Sequence, residues 1–317
     1  MKTLKSLLWL VIAMVLVSCD GPKPGVEPVV KESANYDLAI MDGGRLVLYD
    51  IANQKAMPVE AEQDSLFNCV FTDDGLLFYS VKRGNETFLK YVDLSDPALQ
   101  PQLAADWDLP WNLCCGTEYY CRIAPNLDYY PEQKVVGMAH MMEPNYGFSD
   151  YKIFDRNSGQ AVSPWVWDGD PSFLENPEWH SDYDEDLFMD VEEERMLYYG
   201  NNGKAVCLTD QLEFDIAPED AEYFPIFEVM SVDPSNKYVL FEVLTHEESD
   251  MEFHGPQCVA SLDGSFQRVL GDFDGSYPGQ WMGDGILVYG AQGIHRLNLA
   301  DGSDILLYPN ACVFVKR

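Results

Sequence analysis

Between residues 106 and 186 the chain gathers Trp107, Trp111, Trp167 and Trp179, with His180 beside the last, among Asp106, Asp108, Asp168, Asp170, Asp182, Asp184 and Asp186. Indole faces beside carboxylates suit sugar rings, whose faces are apolar and whose rims are hydroxylated. They equally suit cationic ligands, through cation–π attraction. The alternative is that the rings pack between structural elements while the acids face water. Glycoside cleavage needs two carboxyls roughly 5 to 10 Å apart across one bond, and so acidic a chain offers many pairs. Counted from Asp182, acids fall at the EF-hand positions, but Leu187 stands where that loop needs glycine and the flanks read as strands. What remains is an unspecific calcium set, Asp182, Asp184 and Asp186, against the plainer reading of a solvated acidic loop. His246 and His254 are isolated loop histidines. No nucleophile elbow, HExxH, P-loop, dinucleotide fingerprint or Ser/Lys pair occurs, so no catalytic residue is assigned and no cofactor is expected.

The elements that must position these residues are short strands. Residues 281–309, WMGDGILVYGAQGIHRLNLADGSDILLYP, read as four strands cut by turns at 283–285, 291–293 and 301–303. The runs between the cuts are β-branched and aromatic, as strands prefer. A four-stranded meander cannot bury both faces alone, so repeats of it stack in a ring. The unit recurs, marked by Asp50, Asp93, Asp155, Asp210, Asp263 and Asp301 at spacings of 43, 62, 55, 53 and 38 residues. The mean, about 50, is near the length of a propeller blade. The first unit is one strand short, and residues 311–315 form a spare apolar segment. Joining the two closes a six-bladed, all-β propeller, with the C-terminal strand innermost in blade one and no open edge at the closure. Because successive strands reverse, links between blades and the second-to-third-strand loops share one end of the ring. Trp107, Trp111, Trp167, Trp179 and His180 fall in links, and His140, His246 and His254 in or beside the loops, so that end is the expected ligand end.

Most blades open on a strand, a polar turn and a second strand. Three such turns are Thr72-Asp73-Asp74-Gly75, Ala124-Pro125-Asn126 and Asp233-Pro234-Ser235-Asn236. These hairpins resemble the repeats of TolB-type propellers over nearly the whole chain after residue 34. No repeat carries the full Ser-Pro-Asp-Gly turn, and TolB's separate α/β domain has no counterpart. The resemblance implies a fold and a cell-envelope setting, without TolB's partners.

Lys2 and Lys5 precede the apolar run 7–17, which is too short to span a membrane and has the order of an export signal. Residues 16–19, Leu-Val-Ser-Cys, resemble the lipobox of bacterial lipoproteins. The alternative is an ordinary signal with an incidental cysteine. The resemblance implies removal of residues 1–18 and lipid on Cys19, holding the protein on a membrane without a spanning helix. Residues 19–34, with three prolines, read as a tether and 35–317 as the propeller. Losing Lys2 and Lys5 takes the net charge from −33 to −35, which repels nucleic acid and favours cations or basic proteins as partners. Acidity that merely keeps an exported protein soluble is the plain alternative. Cys69, Cys207, Cys258 and Cys312 sit in apolar runs as small hydrophobes. Cys114, Cys115 and Cys121 are close enough for one bridge, whose pairing sequence leaves open. A ligand- or protein-binding module of the cell envelope requires the fewest assumptions. A carbohydrate-active enzyme using acids at the Trp-rich end, or a structural lipoprotein, are the other readings.

Overall fold

The computed structural model describes residues 35–59, 65–83, 86–106, 126–139, 152–162, 167, 169, 184, 187–191, 194–201, 203–216, 225–245, 255–272, 278–311 and 313–317. The propeller unit runs Asn35–Arg317. Blade one takes β1 (Leu38–Asp42), β2 (Arg45–Asp50) and β3 (Lys55–Pro58); blade two takes β4 (Ser65–Phe71), β5 (Leu76–Arg83), β6 (Glu86–Asp93) and β7 (Gln102–Asp106). Blade three is β8 (Asn126–Tyr130), β9 (Val135–Ala139), β10 (Lys152–Asp155) and β11 (Gln160–Val162); blade four is β12 (Phe188–Val191), β13 (Met196–Asn201) and β14 (Lys204–Cys207). Blade five is β15 (Ile226–Val232), β16 (Tyr238–Leu244), β17 (Pro256–Ser261) and β18 (Gln267–Asp272); blade six is β19 (Gln280–Gly283), β20 (Ile286–Gly290), β21 (Gly293–Asn298) and β22 (Ser303–Pro309). The last strand, β23 (Val313–Lys316), returns to blade one, whose order is β23-β1-β2-β3. No α-helix occurs among the described residues.

The fold is therefore an all-β, six-bladed propeller of antiparallel meanders closed by the C-terminal strand. Closure pairs Leu38 with Lys316, Ala39 with Val315, Ile40 with Phe314 and Met41 with Val313. Inner strands lie beside one another around the axis: β23 beside β4, β4 beside β8, β12 beside β15. Blade four differs from the expected meander. Among the described residues its ladder has three strands, and Leu212 and Phe214, where the fourth was expected, pack on the core from irregular chain. The cause is local. The Gln211 N–H donates to the Gln267 side chain at 2.9 Å and its amide donates to the Gly264 carbonyl at 3.3 Å, drawing that segment onto blade five.

Strand alternation sends apolar side chains to both faces of each sheet, and adjacent sheets bury them against each other. Phe78 and Leu89 of blade two meet Val136 and Phe154 of blade three. Leu197 of blade four meets Phe227 and Phe241 of blade five, Leu240 and Val259 meet Trp281 and Leu287 of blade six, and Val288 and Ile294 meet Leu38 and Ile40 of blade one. Free Cys69 and Cys258 are buried in these layers, and burial pushes the Cys69 thiol up to about 12. They act as the small hydrophobes that the sequence implies. Cys312 and the trio Cys114, Cys115 and Cys121 lie outside the described residues.

Candidate functional site

The two ends of the ring are built differently. At one end lie the first-to-second and third-to-fourth strand turns, and the aspartates that mark the repeat hold the latter together. Asp50 accepts the Asn53 N–H at 2.9 Å and its side-chain amide at 2.7 Å. Asp93 takes the Ser95 N–H and hydroxyl at 2.8 and 2.6 Å, and Asp155 takes the Asn157 N–H at 2.9 Å and the Ser158 hydroxyl at 2.8 Å. Asp263 accepts from the Ser265 hydroxyl at 2.6 Å and N–H at 3.0 Å and from the Ser261 hydroxyl at 2.8 Å, which lowers it to about 2. Asp301 takes the Ser303 N–H at 2.9 Å. Asp210 accepts instead from Gln267 at 2.6 Å. These are Asx turns, in which a carboxylate replaces the missing backbone acceptor.

The same end also joins blades. Buried Asp233 accepts the N–H groups of Lys237 at 2.7 Å and Tyr238 at 2.8 Å, and that of Gly285 in blade six at 3.1 Å. Burial alone would raise its carboxyl, but these donors with the Ser235 hydroxyl outweigh it and hold it low. Arg156 of blade three forms an ion pair with Asp74 of blade two and donates to the Tyr129 hydroxyl at 3.1 Å, while lying over the Phe78 and Tyr129 rings. The carboxylates of this end are thus largely committed to the fold.

Trp107, Trp111, Trp179, His180, Asp182 and Asp186 lie outside the described residues, as do Cys19, His140, His246 and His254. Asp184 is exposed, and its carbonyl accepts the Leu187 N–H at 3.0 Å. Trp167 is half-buried. It packs with Tyr130 and Val162 on Val135 and Ile153, the face of blade three turned away from blade two, and it hydrogen-bonds Asp155. Trp281 packs likewise between blades five and six, its indole N–H donating to the Ser231 hydroxyl at 3.0 Å.

The feature that sequence reading missed is a polar row in blade five. Glu228 of β15 pairs directly with Glu242 of β16, which pairs directly with Gln257 of β17. Directly paired residues project to one face with Cβ atoms about 5 Å apart. That face meets blade six, since Leu240 and Val259, each two residues away along its strand, pack on Trp281 and Leu287. All three lie in the halves of their strands nearer the link end. Glu228 is exposed on the innermost strand, whereas Glu242 and Gln257 are 7% and 2% exposed. The Glu242 carboxylate accepts the Gly255 N–H at 3.2 Å and the Gln257 carbonyl oxygen accepts the Gly279 N–H at 2.9 Å. That second bond fixes which way the amide faces, and its Nε2 has no protein partner. The signal was a lone acid inside the apolar run YVLFEVL.

No protein-family model and no curated protein matches the chain. Solved structures similar to it include TolB from Acinetobacter baumannii, 10% identical over 89% of this chain and 66% of that one, at a TM-score of 0.43. A chain of a nidogen/laminin complex is 10% identical over 86% of this chain and 92% of that one, at 0.40. The AtxE2 isopeptidase in its apo form is 9% identical over 83% of this chain and 46% of that one, at 0.46. The chain thus spans less than two thirds of the TolB structure and under half of the isopeptidase. The likeness to TolB anticipated from the hairpins is present, and the fold itself rests on the strand order. Fold and site define a six-bladed propeller with one end bound into its own turns and a polar row, two of whose three members are buried, toward the other.

Proposed function

We propose that this protein is a lipid-anchored binding module of the bacterial cell envelope. Residues 1–18 direct export, lipid on Cys19 holds the chain at a membrane, 19–34 act as a tether, and the propeller presents its link end to a glycan, a cationic ligand or a basic protein. The observation that carries the reading is the asymmetry between ends. The turn end spends its carboxylates on Asx turns and blade-to-blade bonds. The link end carries the longer connections between strands, in whose sequence Trp107, Trp111 and Trp179 fall, and binding concentrates on loops carried by a rigid scaffold. A net charge of −33 further favours cationic partners. The test is a glycan and basic-peptide array probed with the detergent-solubilised protein, alongside Trp111→Ala and Trp179→Ala. Bound ligands lost in either variant with unchanged melting support the reading. An array without bound ligand, or binding indifferent to both variants, counts against it.

A further inference from the structure

We propose that Met196, Cys207 and Thr209 of blade four form a binding site for one soft cation, copper(I). The site lies at the turn end and is independent of the ligand end in the reading above. The hairpin of β13 and β14 builds it. Tyr198 pairs directly with Cys207, so Met196, two residues before Tyr198, stands diagonally across from Cys207 on the same face. Leu197 and Leu208 turn the other way, into the core shared with blade five, tied by the Leu208 N–H to the Leu197 carbonyl at 2.8 Å. Thr209 follows, buried, its hydroxyl oxygen fixed by the Leu197 N–H at 3.1 Å. Cys207 Sγ then lies 3.7 Å from Met196 Sδ and 3.9 Å from Thr209 Oγ1, which is itself 3.5 Å from Met196 Sδ.

These three donors form a nearly equilateral triangle. The point equidistant from them is about 2.1 Å from each, close to metal bond lengths, which for zinc are about 2.3 Å to sulfur and roughly 2.0 to 2.2 Å to oxygen. An ion at that point bonds directly to atoms already in contact, so it needs no larger cavity. The donor types choose the ion. Calcium and magnesium take oxygen ligands, not thioethers. Zinc takes thiolate, imidazole and carboxylate, and in structural sites four of them. Thiolate with thioether selects copper(I), which is content with two or three donors. Loading changes no oxidation state: the Cys207 thiol releases its proton, the freed sulfur lone pair binds the ion, and one positive charge replaces another. Cys207 is half-buried, unlike buried Cys69 and Cys258, so the ion reaches it from solvent, where the net charge of −33 gathers cations.

The experiment titrates the reduced, detergent-solubilised full chain with copper(I) under exclusion of oxygen, in competition with the chromogenic chelator bicinchoninate. In the natural chain, Cys207→Ser should lower the copper(I) bound by one equivalent, whatever the other thiols take. In a chain whose Cys114, Cys115, Cys121 and Cys312 are replaced by serine, Met196→Leu keeps the volume but not the soft donor, and should weaken the site by about tenfold or more. Met57→Leu, in blade one, should leave it unchanged. X-ray absorption on that four-serine chain should show two sulfur neighbours at about 2.3 Å. Melting curves confirm that each variant is folded, and should Cys207→Ser fail to fold, Met196→Leu and the sulfur count decide. An equivalent retained in folded Cys207→Ser, affinity indifferent to Met196→Leu, a single sulfur neighbour, or zinc(II) held more tightly than copper(I) overturns the proposal. Indifference to Met196→Leu would make Cys207 a thiol that takes up copper on its own.

Discussion

Removing the strand that closes the ring is the most direct assault on this fold. Phe314 is fully buried and packs against Leu38, Ile40, Val288 and Ile294, so it joins blades one and six. A buried phenylalanine withdraws roughly 150 to 250 Å² from water, and cutting it to alanine returns somewhat more than half. At about 25 cal/mol per Å² that is ~3 kcal/mol. The cavity left behind raises the cost of Phe314→Ala toward ~3 to 5 kcal/mol, a fall in melting temperature of roughly 6 to 20 °C at 2 to 4 °C per kcal/mol. Truncation after Pro309 goes further. It removes all four closing pairs, the Lys316 ammonium bond to the Trp281 carbonyl at 2.6 Å and the Arg317 N–H bond to the Asp37 carbonyl at 2.9 Å. It also opens the edge of β1, where Leu38, Ala39 and Ile40 are fully buried, and unpaired edges invite aggregation. Circular dichroism should show the truncated chain without the cooperative melt of the whole protein. A truncated protein that melts in one transition within a few degrees of the intact one would refute the closure argument.

Cys19→Ser should abolish metabolic labelling with radioactive palmitate and release the protein from the membrane fraction; unchanged labelling would remove the anchor from the proposal. Arg156→Met should cost about 1 to 3 kcal/mol by guanidinium unfolding, because it breaks a largely buried link between blades two and three. Asp74 is half-exposed, so solvent screening puts the coupling in an Asp74→Ala/Arg156→Met cycle at the low end, about 1 kcal/mol. Acid should destabilise the fold through its turns. The carboxyls of Asp50, Asp93, Asp155, Asp233 and Asp301 are held low, and that of Asp263 is lowered to about 2. A depressed folded value gives stability that is complete above the ordinary carboxylate range, near pH 4, and is lost as pH falls toward about 2. A melting temperature flat across that window would mean the turn carboxylates contribute nothing.

The closure was readable because strand count is local arithmetic: one blade lacked a strand and one apolar segment had no partner. The marking aspartates were readable because an Asx turn needs only neighbours two or three residues away, as Asp93 with Ser95 and Asp155 with Ser158. The first hairpin turns were harder to see. Each needs a residue in the left-handed region before the second strand, filled by Gly75 and Gly285 at φ 87° and 64°, but by Lys134, Arg195 and Asn236 at 56°, 55° and 52° elsewhere. The turn through Asn236 was readable from its Asp-Pro-Ser-Asn sequence, but blade three's, expected at Ala124-Pro125-Asn126, falls instead between β8 and β9, since β8 begins at Asn126 and Lys134 takes the conformation; non-glycine residues hold it at about 1 to 2 kcal/mol each. Blade four's irregular outer layer was unreadable because what diverts it, Gln267, lies 56 residues beyond Gln211. Trp167, which the sequence places in a link, packs partly buried on Val135 and Ile153, a contact that no spacing in the sequence marks.

The polar row shows why a site of this kind escapes a sequence search. Glu228, Glu242 and Gln257 are 14 and 15 residues apart and share no motif; only the register of two hairpins sets them opposite one another. That register is itself adjusted, because the bulge between Val229 and Ser231 inserts one residue between Glu228 and the bond from Trp281 to Ser231. Without the bulge, pairing from Ser231 with Leu240 would set Glu228 opposite Val243, whose side chain faces blade four, and a shift by one residue reverses the face of everything beyond it. A bulge beside such a row of polar groups is a device for aiming side chains. The adjustment keeps Glu228 on the face of Glu242 and Gln257 while letting Trp281 seal the layer beneath them.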